Sequence, residues 1–350
     1  MLEKRKKRTL IFLIIVAIMM AVGLVLENLP KEGINKNVIE IPLPEDEHEI
    51  SGICDMKVNG DTLTLATLTS FDDLTRAVAE IWETSDDGRN WTRLYAKEFS
   101  AQKENEQICP MPVFVGDKNE RKCVITYAFC EGGNALYSEH KYYYINDYLK
   151  SDCKEIFVDA QKKEYDIPRQ TSSYYEDGIL YSYDVYKPNC VTRVNVEEEV
   201  YERIKVPNAG IITVGLFDAK GSYLDYGADY ESGYTSESVK YDFETGETEE
   251  APVLRQLCID LETYYDSFHI ALDPDRGEDE EAYYYICRKG LYHYDKDGKT
   301  LIQEINYPKE FTRLRFDDPM LFTNEGDVYI SYCNFGGNRF EQRLLKVKVK

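Results

Sequence analysis

The chain holds 350 residues and carries 64 acidic against 42 basic side chains, a formal charge of −22. A surface of that sign repels nucleic acid and anionic lipid headgroups, so no nucleic-acid partner is expected, and cationic partners or divalent cations suit it better. At this length one large all-β domain fits as well as two lobes.

The first thirty residues differ from the rest. Lys4, Arg5, Lys6, Lys7 and Arg8 form a basic cluster, and Thr9 to Leu26 follows as 18 residues without a charge. Such a run is just long enough to cross a bilayer as a helix. The basic flank predicts the N-terminus inside and everything after the run outside. The expected layout is a cytoplasmic segment over 1–8, a transmembrane helix or signal anchor over 9–26, a linker over 27–37 and an extracytoplasmic domain over 38–350. A cleaved signal peptide, leaving a secreted protein, is the alternative, because Ala21-Val22-Gly23 offers a small-x-small site. Continuation of the apolar run to Leu26, with Pro30 beyond it, favours the anchor. Outside residues 1–30 there remain 37 basic and 62 acidic side chains.

Nine cysteines are scattered through the exported part with no CxxC spacing. Export suggests disulfides, but an odd number inside apolar runs fits buried thiols equally well. The spacing gives no metal-thiolate or redox site.

From Val38 onward the pattern is one of short strands. Val38-Ile39-Glu40-Ile41-Pro42-Leu43 alternates as a strand does. Asn59-Gly60-Asp61, Glu176-Asp177-Gly178, Arg288-Lys289-Gly290 and Glu325-Gly326-Asp327 each precede an alternating run. These are expected to join the first and second strands of a repeated unit. A second kind of turn recurs at Asp86-Asp87-Gly88, at Asp242 to Gly246 and at Asp295 to Gly298, as expected between outer strands. No segment makes a convincing helix. Leu74 to Trp82 has a helical apolar face, but its neighbours demand a strand there. The 29 tyrosines also favour strands. Acidic-plus-glycine hairpins at intervals of roughly 40–60 residues match the blade period of a β-propeller.

The fold class expected is therefore all-β: a β-propeller of about six, alternatively seven, four-stranded blades, preceded by one N-terminal transmembrane helix. The blades are placed near 50–107, 108–163, 164–207, 208–260, 261–308 and 309–350. The last lacks an outer strand, which Val38 to Leu43 is expected to supply. Two stacked β-sandwiches are the alternative architecture.

One hairpin is more specific. Thr84, Asp86, Gly88 and Trp91 have the spacing [ST]-x-D-x-G-x-x-W between two strand patterns. Asp86 is placed to accept backbone N–H groups two residues on, and Gly88 to supply the positive φ that closes the turn. Trp91 is expected to start the return strand and fold back over the hairpin. The motif resembles the Asp box, or BNR repeat, of β-propellers. The resemblance covers some eight residues and implies architecture; its best-known hosts are sialidases. The arginine-containing opening motif of those enzymes is missing, and one clear box stands where several are usual.

Candidate sites are diffuse. Tyrosine clusters suggest ligand contacts at Tyr143, Tyr175, Tyr264 and Tyr284, where rings stack on sugars or grip a peptide. Asp273 and Asp275 open a dense acidic loop that begins like a calcium loop, so calcium is the one ion to consider and no other cofactor is expected. The bidentate glutamate of an EF-hand would fall at Tyr284, so that motif fails. Asp317 and Asp318, with Asp184, Asp225 and Asp229, are the carboxylates available for glycoside chemistry. Four separated histidines make no zinc pattern, and no nucleophile elbow or phosphate loop occurs. These residues point to an extracytoplasmic binding or scaffolding module for a cell-surface glycan or a protein partner, leaning away from an enzyme. A hydrolase acting on extracellular polysaccharide is the alternative.

Overall fold

The structure, a computed structural model, describes residues 37–349 apart from 46–49, 72–73, 103–105, 118, 132–137, 151–152, 157–169, 177, 185–189, 206–211, 219–220, 227–236, 263–267, 278–279, 308–310, 312–313, 317–319, 324–325 and 335–340. The expected basic segment, membrane helix and most of the linker lie outside the described residues. Among the described residues no helix is long and apolar enough to cross a membrane.

After a short strand, β1 (Val38–Ile41), the chain makes antiparallel four-stranded meanders in sequence order. Blade 1 comprises β2 (Gly52–Asn59), β3 (Thr62–Ser70), β4 (Arg76–Thr84) and β5 (Thr92–Ser100). Blade 2 comprises β6 (Glu106–Val115), β7 (Lys122–Glu131), β8 (Ser138–Ile145) and β9 (Cys153–Ile156). Blade 3 comprises β10 (Gln170–Glu176), β11 (Ile179–Asp184), β12 (Cys190–Asn195) and β13 (Val200–Lys205). Blade 4 comprises β14 (Ile212–Phe217), β15 (Gly221–Tyr226), β16 (Glu237–Asp242) and β17 (Thr248–Glu250). A helix, α1 (Pro252–Glu262), leads into blade 5: β18 (His269–Leu272), β19 (Tyr283–Cys287), β20 (Gly290–Asp295) and β21 (Gly298–Glu304). The chain is an all-β propeller.

The expectation of six or seven four-stranded blades is corrected to five. The remaining sheet has five strands drawn from both ends of the described chain. β22 (Leu314–Arg315) and β23 (Met320–Phe322) share one edge of β24 (Asp327–Asn334), so its innermost strand is broken in two. β25 (Glu341–Lys348) follows, and β1 pairs with β25 in the register Val38 to Val347 and Ile41 to Leu344. The N-terminal strand thus hides an edge that would otherwise stay open to another chain.

Burial follows strand position. Every residue of β3 from Leu63 to Thr69 is buried, because neighbouring blades cover both faces of a second strand. The fourth strand, β5, instead alternates, burying Tyr95 and Phe99 and exposing Arg93 and Glu98. Apolar clusters lie between successive sheets: Ala77 and Ile81 with Ile108 and Ile125, Val113 and Tyr142 with Leu180 and Val194, and so on. The cycle ends with Ile41, Tyr329 and Leu344 of the closing sheet against Ile53, Leu63 and Leu65 of blade 1.

The hairpin at Thr84 to Trp91 sits on that last seam. Gly88 has φ +81, as its place in the turn requires. Its N–H donates to Thr84 Oγ1 at 3.2 Å, and Thr84 Oγ1 donates to Asp86 Oδ1 at 2.8 Å. Asp86 accepts from the N–H of Asn90, four residues on and not two, at 2.9 Å. Asn90 also anchors the other carboxylate oxygen and leads the interactions that hold Asp86 below the usual carboxylate range. Trp91 packs against the cluster that joins blade 1 to the closing sheet. Its indole N–H donates to the carbonyl of Pro42, directly after β1, at 2.8 Å. Lys346 of β25 reaches Asp87 at 3.5 Å. The turn is a clasp between blade 1 and the closing sheet.

Two further details depart from the sequence reading. Arg288-Lys289-Gly290 joins the second and third strands of blade 5, not the first and second. A Cβ on Gly290 would lie 2.2 Å from the Gln303 carbonyl, so glycine is needed there for close approach to β21. The other departure is α1, where no helix was expected. Pro252 stands in its first turn, and Leu254, Leu257, Cys258 and Leu261 bury one face against blades 4 and 5. Glu281 caps it, accepting from the N–H of Leu254 at 3.0 Å.

Candidate functional site

Blades 2 and 3 leave a groove of about 500 Å³ between them. Tyr144, Asn146, Cys153 and Lys154 line it from blade 2, and Val196, Glu197 and Glu199 from blade 3. The aromatic wall comes from the alternation of β8. Tyr142 and Tyr144 point to the face shared with blade 3, where Tyr142 is fully buried and Tyr144 only partly. Burial also pushes the Tyr144 hydroxyl above its ordinary range. That hydroxyl lies 3.4 Å from the side-chain carbonyl of Asn146, to which it donates.

The opposite wall is the turn joining β12 to β13. Asn195 organises it by accepting from the N–H groups of Glu197 at 3.1 Å and Glu198 at 3.0 Å. Glu199 takes a left-handed conformation, φ +58, at a cost of about 1 kcal/mol for a residue with a Cβ. Its carboxylate pairs with the Lys154 ammonium across the groove. Lys122 makes a second crossing, 3.7 Å from Glu197 and 2.8 Å from Glu120. The hydrogen bond to Glu120 holds the Lys122 ammonium above its usual range and the Glu120 carboxyl below its own. The groove thus sets an aromatic ring beside an amide, an ammonium and two carboxylates. These are groups that orient a hydroxylated ligand by donating and accepting at neighbouring positions. The two carboxylates come from one turn and each has a lysine within reach. They do not face each other across the groove as the pair of a glycoside hydrolase must.

Of the predicted contact residues, Tyr143 and Tyr284 have described side chains, and neither lines this groove. Tyr143 faces blade 1, packed on Phe99 with ring centroids 5.3 Å apart and on Tyr127 at 6.3 Å. It is an inter-blade packing residue, and its neighbour Tyr144 lines the groove. Tyr175 pairs with Leu180 within blade 3, but its side chain lies outside the described residues, as does the whole of Tyr264. Asp317, Asp318 and Asp229 also lie outside, together with the side chains of Asp184 and Asp225.

Tyr284, Asp273 and Asp275 gather at one end of blade 5. The Tyr284 ring meets His293 edge-on at 5.0 Å and Phe322 at 4.8 Å. Asp273 is turned inward: its carboxylate lies 2.9 Å from His293 Nε2 and accepts from the N–H of Asp275 at 2.8 Å. Asp295 stands 3.6 Å from the other ring nitrogen. Arg276 ties the loop to Asp218 of the β14–β15 turn. Among the described residues no three His, Cys, Asp or Glu side chains converge as a metal set. Lys154, Glu197 and Glu199 were not singled out from sequence. The available signal was Asn195 ahead of a Glu-Glu-Glu run, which reads as a side-chain-capped turn between strands.

No protein-family model and no curated protein matches the chain. Solved structures that resemble it include an α-L-arabinanase of Penicillium chrysogenum complexed with arabinobiose. It is 13% identical, has a TM-score of 0.31, and the match covers 82% of this chain and 72% of that one. A GH93 α-L-arabinofuranosidase of Fusarium graminearum is 13% identical at a TM-score of 0.34, covering 89% and 76% of the two chains. The catalytic domain of a GH62 α-L-arabinofuranosidase of Coprinopsis cinerea is 9% identical at a TM-score of 0.43, covering 90% and 97%. Scores and identities of this size carry no information on activity.

Proposed function

We propose that this chain is a membrane-anchored, extracytoplasmic propeller that binds a cell-surface glycan through the groove between blades 2 and 3. The observation that carries the reading is the groove itself, with the Tyr144 ring beside the crossed lysine and glutamate pairs. Binding is favoured over hydrolysis because Glu197 and Glu199 share one turn and are each near a lysine. The anchor rests on the basic-then-apolar run of residues 4–26. The turn at Thr84 to Trp91 is read as a single Asp box serving ring closure. Thermal unfolding with a panel of cell-wall and host glycans, each with calcium and with chelator, tests the proposal. A ligand that binds only the folded state raises the melting temperature. A glycan-specific rise abolished by Tyr144→Leu is the expected result. A rise with calcium alone, or with an extracellular protein alone, would overturn it.

A further inference from the structure

Resting on the reading of the groove as the binding site, we infer that its ligand is a neutral polyhydroxyl glycan and that anionic sugars are excluded. The charges at the groove decide the class. The groove is lined by one lysine, Lys154, and two glutamates, Glu197 and Glu199; Lys154 is held by Glu199, and Lys122, beside the lining, is held by Glu120 and Glu197. Among the described residues, neither of these two lysines is left over to meet a uronate, sialate or phosphate. The chain as a whole carries a formal charge of −22, which also repels such groups. Glu197 is 60% exposed and Glu199 30%, so both present acceptor oxygens to an entering ligand.

A vicinal diol fits what remains. One hydroxyl donates to the Glu199 carboxylate while accepting from the Lys154 ammonium, and its neighbour engages the Asn146 amide. The sugar's C–H face lies on the partly buried Tyr144 ring. The left-handed Glu199 backbone, which a glycine or asparagine would adopt with less strain, holds its carboxylate toward Lys154 over the groove. We assign Tyr144, Lys154 and Glu199 as the residues that set specificity.

The test is calorimetric titration of the full-length protein with cellohexaose, xylohexaose and arabinohexaose as neutral probes and hexagalacturonate as the anionic one. Wild type is compared with Tyr144→Leu, Lys154→Met and Glu199→Gln. At least one neutral hexasaccharide is expected to bind, weakened about tenfold or more by Tyr144→Leu and by Glu199→Gln. Hexagalacturonate is expected to show no binding. Glu199→Gln makes a near-isosteric change in a partly exposed turn side chain and keeps the test open if Tyr144→Leu does not fold. Hexagalacturonate bound as tightly as the neutral probes, and sensitive to Tyr144→Leu, would overturn the ligand class while leaving the groove as the site. Neutral binding insensitive to all three substitutions would overturn the groove reading. Binding of none of the probes would overturn both.

Discussion

Replacing Gly88 with alanine tests whether the Thr84 to Trp91 turn clasps the ring. Two costs add. The turn holds φ at +81, where a Cβ costs about 1–2 kcal/mol. The added Cβ would also lie 2.6 Å from Ile41 Cγ2 and 2.7 Å from the Pro42 carbonyl oxygen, both on the N-terminal closing segment. Overpacking of that kind costs roughly 1–3 kcal/mol. The expected loss is about 2–5 kcal/mol, which lowers the melting temperature by about 3–8 °C in a domain of this size. Gly60→Ala is the control, since Gly60 has φ +57 and nothing within 4 Å of its would-be Cβ. Only the backbone cost applies there. Thermal unfolding by circular dichroism measures both variants. A drop for Gly88→Ala no larger than that for Gly60→Ala would refute the clasp.

Trp91→Phe removes the hydrogen bond to the Pro42 carbonyl and leaves that acceptor in place, so chemical denaturation should show a loss of about 1 kcal/mol. Asp55 predicts a pH dependence. Burial leads in pushing its carboxyl from 3.8 up to about 6, opposed by the N–H groups of Phe114 and Met56 and by Lys57. The folded state therefore holds the proton more tightly than the unfolded one. The stabilising contribution is full below pH 3.8 and is lost as pH rises through about 6. Urea unfolding should show wild type losing on the order of 3 kcal/mol relative to Asp55→Asn between those limits, and a constant difference would contradict this. Cys123, Cys153 and Cys287 are free thiols, so alkylation in denaturant without reductant should modify all three by mass.

The architecture was legible because its signals are local. Asp86 to Gly88, Asp242 to Gly246 and Asp295 to Gly298 each join a third strand to a fourth, as their turn chemistry implied. Val38 to Ile41 closes the last sheet, since an alternating strand ahead of the repeats has that edge open to it. The helix α1 was missed because its apolar face is spread over only eleven residues between two strand-rich blades. The groove was only half legible. A tyrosine triplet on a strand shows that alternate rings point opposite ways, but not which way, and that choice separates Tyr143 on the blade 1 side from Tyr144 on the blade 3 side. The facing wall depends on Glu199 adopting a left-handed backbone and on blade 3 lying against blade 2. No spacing within either segment reports those facts.

Hydrogen–deuterium exchange of the full-length protein with and without a bound neutral oligosaccharide tests the site most directly. Protection concentrated at residues 144–154 and 195–200 is the predicted result. Protection confined to the Asp273, Tyr284 and His293 end of blade 5, with residues 144–154 unchanged, would contradict it.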